Sequence, residues 1–309
     1  MGDLLVPGVR FALYADLMLM TGLAAFPLHA FDCTERHIPA LLTLFRRPQP
    51  WLCVFGLLVS AAGMVILTAD MQGVQPDAVD PAMLLGIIGE TGVGAAWTCR
   101  MVALLVAAAA LWRLASHPVI AAWTVAVTGA IALATLAWSG HAAASEGWAG
   151  AFHRASDALH LVAAAIWIGA IAAFLLLLRP RHGAVPPEYA TLAARGLDRF
   201  ARTGTICVLV IAATGLINAQ AIVGIANAGQ ALASPYGQWM LAKLLLFAAM
   251  LGLAAANRWR LTPALRTALV EGEAAPAIGA IRRSLAAEIL AGLAILALVG
   301  WLGLLDPLP

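Results

Sequence analysis

Residues 139–178 read SGHAAASEGWAGAFHRASDALHLVAAAIWIGAIAAFLLLL, a polar break that runs straight into an apolar segment. From about 157 to 178 that segment is long enough to cross some 30 Å of hydrocarbon, which takes roughly 20 apolar residues of helix. His141, His153, Asp157 and His160 lie at its mouth. Ionisable groups are costly there unless they are used, so the search for function begins with them.

Working outward, seven further segments of the same kind run at about 10–31, 52–70, 92–113, 119–138, 204–224, 237–256 and 285–305. The composition agrees: 62% of the 309 residues are hydrophobic and 11% charged, and the mean hydropathy of +0.90 lies outside the range of soluble domains. The reading is an all-α integral membrane protein, a bundle of eight transmembrane helices. It forms a single integral domain over 1–309, four helices falling in 1–150 and four in 151–309. The first segment lacks a basic leader and a small-residue cleavage site and reads as a retained helix.

Arginines set the orientation, because positive charge is retained on the cytoplasmic side. Arg36, Arg46, Arg47, Arg113, Arg179, Arg181, Arg195, Arg199, Arg202, Arg258, Arg260, Arg266, Arg282 and Arg283 fall on alternate connections, against Arg154 on the opposite ones. Both termini are therefore expected outside. The outer connections carry Asp70, Asp77, Asp80, Glu90 and Glu146, which would concentrate cations or are simply tolerated there. A net charge of +2 gives no reason to expect nucleic acid as a partner; the bilayer is the partner the composition demands.

Helix rise is about 1.5 Å per residue, which places Asp16, Arg100, His160, Asn218 and Lys243 in the outer half of the membrane, with Glu90 in the outer loop beside them. Polar groups in hydrocarbon must find partners, so these are expected to face one another around a ligand. The alternative is a set of ion pairs, Asp16 with Arg100 or Lys243, that fixes packing alone. His153, Asp157 and His160 at i, i+4 and i+7 share one helix face, a metal-ligand spacing, with His141 folding back over it. Imidazole suits copper, zinc, iron or nickel, and Asp157 is either a ligand or the carboxylate that orients an imidazole.

Met64 and Met71, seven apart on the second span, are candidate thioether ligands for Cu(I), whereas Met18, Met20 and Met101 read as core filler. His29 and His37 are expected to be solvated. Cys33, Cys53, Cys99 and Cys207 show no CxxC spacing and read as small buried apolar residues. Cys33, Cys53 and Cys207 stand near the cytoplasmic helix ends, where soft metals could be handed on. No GxGxxG, P-loop, GxSxG or HExxH pattern occurs in a plausible context, so no enzyme chemistry is expected.

The run GHAAASEG, then His153, then DALHLVAAAIWIGA resembles the CopD copper-resistance membrane proteins. So do Arg199-Phe200, Thr214-Gly215, SPYGQWMLAKLLL, Asn257-Arg258, Pro263 and Glu288 in the second half, and RFALYADLMLMTG and ETGVGAAWTCR in the first. The resemblance implies an eight-helix bacterial inner-membrane protein whose metal is copper, imported from the periplasm alongside a CopC-like periplasmic copper carrier. Some relatives carry a histidine where this chain has Leu13, so a ligand from the first helix would be Asp16. His160, Trp167, Gly169 and Lys243 also resemble HemJ-type protoporphyrinogen oxidases, which makes a haem-binding oxidoreductase the alternative. A second axial histidine at the depth of His160 is not found.

Overall fold

The computed structural model describes residues 4–113, 116–139, 147–224 and 227–306. Among these the secondary structure is helical throughout, and eight helices, some built from two consecutive pieces, are long and apolar enough to cross a membrane. In chain order the elements are α1 (Leu5–Ala30), α2 (Pro39–Arg46), α3 (Gln49–Gln72), α4 (Pro81–Glu90), α5 (Gly92–Arg113) and α6 (Pro118–Ala134). They continue as α7 (Gly147–Leu177), α8 (Pro187–Ile222), α9 (Ala228–Ala233), α10 (Pro235–Ala256), α11 (Thr262–Glu271) and α12 (Ala274–Leu302).

The punctuation follows local chemistry. Proline in the first turn opens α2, α3, α4, α6, α8, α10 and α11, where its missing N–H leaves no bond unmade. In the run SPYG, Ser234 caps α10 by accepting from the Gly237 N–H at 3.2 Å. Gly73 closes α3 at φ +67°, a conformation only glycine adopts without strain. Between α10 and α11, Asn257–Leu261 forms a π-helical turn, and the buried Asn257 amide donates to the buried Glu288 carboxylate of α12.

Helices run past the apolar segments at both ends. α7 begins at Gly147 and α8 runs unbroken from Pro187, because their polar extensions continue the helix beyond the hydrocarbon. The arginine-rich connection before the sixth span is thus partly continuous with it. The apolar piece in 71–91 is the short α4, which packs on α3 and α5.

α1 stands at the centre, against α3, α6, α7 and α12. It crosses α7 backbone to backbone: a Cβ on Gly22 would overlap the Ala165 carbonyl oxygen and stand 2.6 Å from the Gly169 Cα. Small residues allow such approaches, on which helix association in lipid depends. Outward faces repeat apolar residues at helical spacing, as in Val102, Leu105 and Val106 of α5 and Leu241, Leu244 and Leu245 of α10, all exposed. Lipid is the solvent that suits such faces.

At the arginine-rich end, Phe26, Phe31, Phe45 and Phe174 interlock edge to face or tilted, with ring centroids 4.9–6.0 Å apart. His29 lies in this cluster, against Phe26 and Phe200, with both ring nitrogens buried rather than solvated. Beside it the buried Glu35 receives Arg195 at 2.9 Å and Arg199. Asp32 accepts from the Thr34 hydroxyl at 2.6 Å and from the Glu35 and Thr34 N–H groups, and pairs with Arg199 at 3.1 Å. The Thr34 hydroxyl first, then these partners, hold its carboxyl down from 3.8 to about 2.

Candidate functional site

α7 and α8 present complementary polar faces. From α7 come the buried His153 and Ser156 and the half-buried Asp157 and His160; from α8 come Thr214, Gly215 and Asn218. His160 Nδ1 lies 3.0 Å from Thr214 Oγ1, and the Thr214 hydroxyl donates to the Val210 carbonyl oxygen at 2.6 Å. A hydroxyl has one proton, so Thr214 can only accept from the imidazole. Nδ1 therefore carries the ring proton and Nε2 keeps its lone pair, the state a metal-binding imidazole requires. The Asn218 amide donates to Asp157 Oδ1 at 3.2 Å. Ser156 donates to the Thr214 carbonyl oxygen at 3.4 Å.

The ring of polar groups extends to other helices. Lys243 of α10, the sequence's one lysine, is close enough for its charge to act on both Asp157 and His160. Tyr14 of α1 feels Asp157, Arg10 and Arg100 together. Arg10 donates to the Ser139 carbonyl oxygen at 2.8 Å, and Arg100 to Thr135 Oγ1 at 3.4 Å. Tyr14, Arg10, Thr214 and Thr135 were absent from the expected layer. Tyrosine and threonine are common enough in membrane helices to carry no signal alone.

Asp16 leaves that layer. It follows Tyr14 by two residues, roughly 200° around the helix, and faces α3, where it forms no ion pair with Arg100 or Lys243 among the described residues. Met64 is buried in α3, whereas Met71 is exposed in its last turn because that turn emerges from the packed bundle. Glu90 is exposed at the end of α4. His141 lies outside the described residues. Among those described, no three His, Cys, Asp or Glu side chains converge closely enough to hold a metal ion; His153, Asp157 and His160 share a face and supply separate donors along it.

The comparisons give this polar layer its context. Over 309 residues the chain is 40% identical to "Copper resistance protein D" of Pseudomonas syringae pv. tomato, covering 99% of this chain and 98% of that one. This chain belongs to the copper resistance protein D family. The family's profiles match in two parts, "Copper resistance protein D-like, N-terminal domain" over residues 1–151 and "Copper resistance protein D" over 194–302. A second relative, "Inner membrane protein YebZ" of Escherichia coli (strain K12), is 29% identical over 260 residues, 84% of each chain. No solved structure gives a significant match. The chain is thus a copper-resistance membrane protein with eight helices apolar enough to span the bilayer.

Proposed function

We propose that this protein carries copper from the periplasm toward the cytoplasm across a bacterial inner membrane, with both termini periplasmic. His141 and His153 collect the ion at the outer surface, delivered by a CopC-like carrier. His160 Nε2 and the Asp157 carboxylate then hold it within the membrane. Copper is cargo here, and the protein performs no covalent chemistry on it.

The observation that supports this reading best is the orientation of His160. Its Nδ1 faces Thr214, whose hydroxyl donates to Val210, which favours Nε2 as the metal donor in a protein of the copper-resistance family. Lys243 gives the site its exit logic. Lys243 lies near enough for its charge, when protonated, to act on Asp157, so a cation on that carboxylate would meet the lysine's repulsion and be held loosely enough to leave. Tyr14 stands between Asp157 on one side and Arg10 and Arg100 on the other, and all three act on it.

Copper accumulation into cells or proteoliposomes, with metal analysis of the purified protein, tests the proposal. Wild type should accumulate copper, and His160→Ala and Asp157→Asn should lose accumulation while reaching the membrane normally. Unchanged flux in both variants would overturn the site. Stoichiometric iron porphyrin in place of copper would overturn the cargo and favour the haem oxidoreductase.

A further inference from the structure

On the far side of α1 from His160, α1 and α3 meet along a strip of donor atoms. Asp16 and Met20 are one turn apart on α1, while Gln49, Cys53, Gly56 and Ser60 recur along one buried face of α3. The Cys53 thiol reaches the Met20 thioether, Sγ to Sδ, at 3.6 Å. Asp16, only 3% exposed, occupies the space that the missing Gly56 side chain leaves: its Oδ2 would be 2.6 Å from a Cβ there. Among the described residues neither carboxylate oxygen has a hydrogen-bond partner, and Gln49 Oε1 and Ser60 Oγ on the same strip also lack one. The Asp16 charge also acts on the Cys53 thiol.

A buried carboxylate without donors is an exception among native structures and calls for a counter-charge. No arginine, lysine or histidine forms an ion pair with Asp16 among the described residues. One turn from it on each helix stand the Met20 thioether and the Cys53 thiol, in contact with one another, the ligands that select soft, low-charge metal ions over magnesium, calcium or manganese. We infer that Asp16, Met20 and Cys53 form a Cu(I) site between α1 and α3. Binding displaces the thiol proton, leaving the ion held by thiolate and thioether with the carboxylate beside it.

The site rests on the reading of copper as cargo and supplies what that reading lacked, a donor set beyond the outer layer. Met20 follows Tyr14 by six residues, roughly 9 Å further along α1. The ion would pass from nitrogen and oxygen ligands near the outer surface to sulfur ligands deeper in the bundle, with α1 as the wall between the two stations.

The test uses full-length protein purified in detergent, with the exposed Cys33 and Cys99 replaced by serine. Cu(I) is titrated against a competing chelator under reductant, and copper-edge X-ray absorption reports sulfur ligation. Cys53→Ser and Met20→Leu should each abolish one sulfur-bound equivalent or weaken it at least tenfold. The His153→Ala/His160→Ala double variant should retain that equivalent even if its transport fails, which separates the two sites. Sulfur scattering in the parent needs no change at the site itself, so a folding defect in a variant leaves the test intact. Absence of sulfur scattering in the parent, or sulfur scattering in both variants as strong as in the parent, would overturn the inference.

Discussion

Replacing Gly22 by alanine tests the packing on which both stations depend. The new Cβ would stand 2.6 Å from the Gly169 Cα and overlap the Ala165 carbonyl oxygen. Carbon atoms rest about 3.5–4.0 Å apart, so α1 and α7 would have to part by roughly 1 Å. A gap of about 0.5–1 Å forfeits roughly a quarter to a half of each contact's attraction, along the interface that joins α1 to the helix bearing His160. Overpacking typically costs about 1–3 kcal/mol, and the upper end is expected because the obstacle is backbone that cannot rotate away. At ~2 °C per kcal/mol for a chain of this size, the melting temperature should fall by roughly 6 °C in detergent, followed by circular dichroism. Gly169→Ala, whose Cβ would overlap the Gly22 backbone, should behave alike. Gly252→Ala meets nothing within 4 Å and should be neutral or gain about 0.5–1 kcal/mol. If Gly22→Ala melts as high as Gly252→Ala, the close crossing is not what holds α1 against α7.

Thr214→Val removes the acceptor that fixes the His160 tautomer while keeping its shape; partners of this kind are worth roughly 10–100-fold in metal affinity, and a copper titration with an unchanged melting curve is expected to show a loss of that order. Asp32 has its folded-state pKa depressed to about 2 from 3.8, so its contribution is present above the unfolded value and is lost as the pH falls through about 2. The stability difference between wild type and Asp32→Asn should therefore stay constant from pH 7 down to about 5 and close only in strong acid; a difference that shrinks near neutrality would refute this.

The eight spans were legible because hydrocarbon thickness sets a length that few soluble helices match. Their ends were not, since the first turns of α7 and α8 are polar and carry no hydropathy signal. His160, Asn218 and Lys243 were likewise legible as polar residues that stand out in apolar sequence. Azimuth was not: Asp16 and Tyr14 differ by two residues yet face opposite partners, and only the packing of α1 against α3 reveals it. Met20 read as filler for the same reason, because its contact with Cys53 joins residues 33 apart in the chain. Thr214 stood out in the sequence only through the Thr214-Gly215 resemblance, and its place beside His160 emerged from the packing of α7 on α8.

The π-helical turn at Asn257–Leu261 makes the connector after α10 unusually tolerant of shortening. A wide turn holds about one residue more than an α-turn, so a one-residue deletion here would leave a regular helix with every backbone bond made. The wide turn sweeps nearly the same angle with that extra residue, so its loss would leave Leu265, fully enclosed in the core, facing as it does now. A deletion in the regular part of α11 has no such slack and would turn everything beyond it by roughly 100°, putting the last helix out of phase with the rest of the bundle.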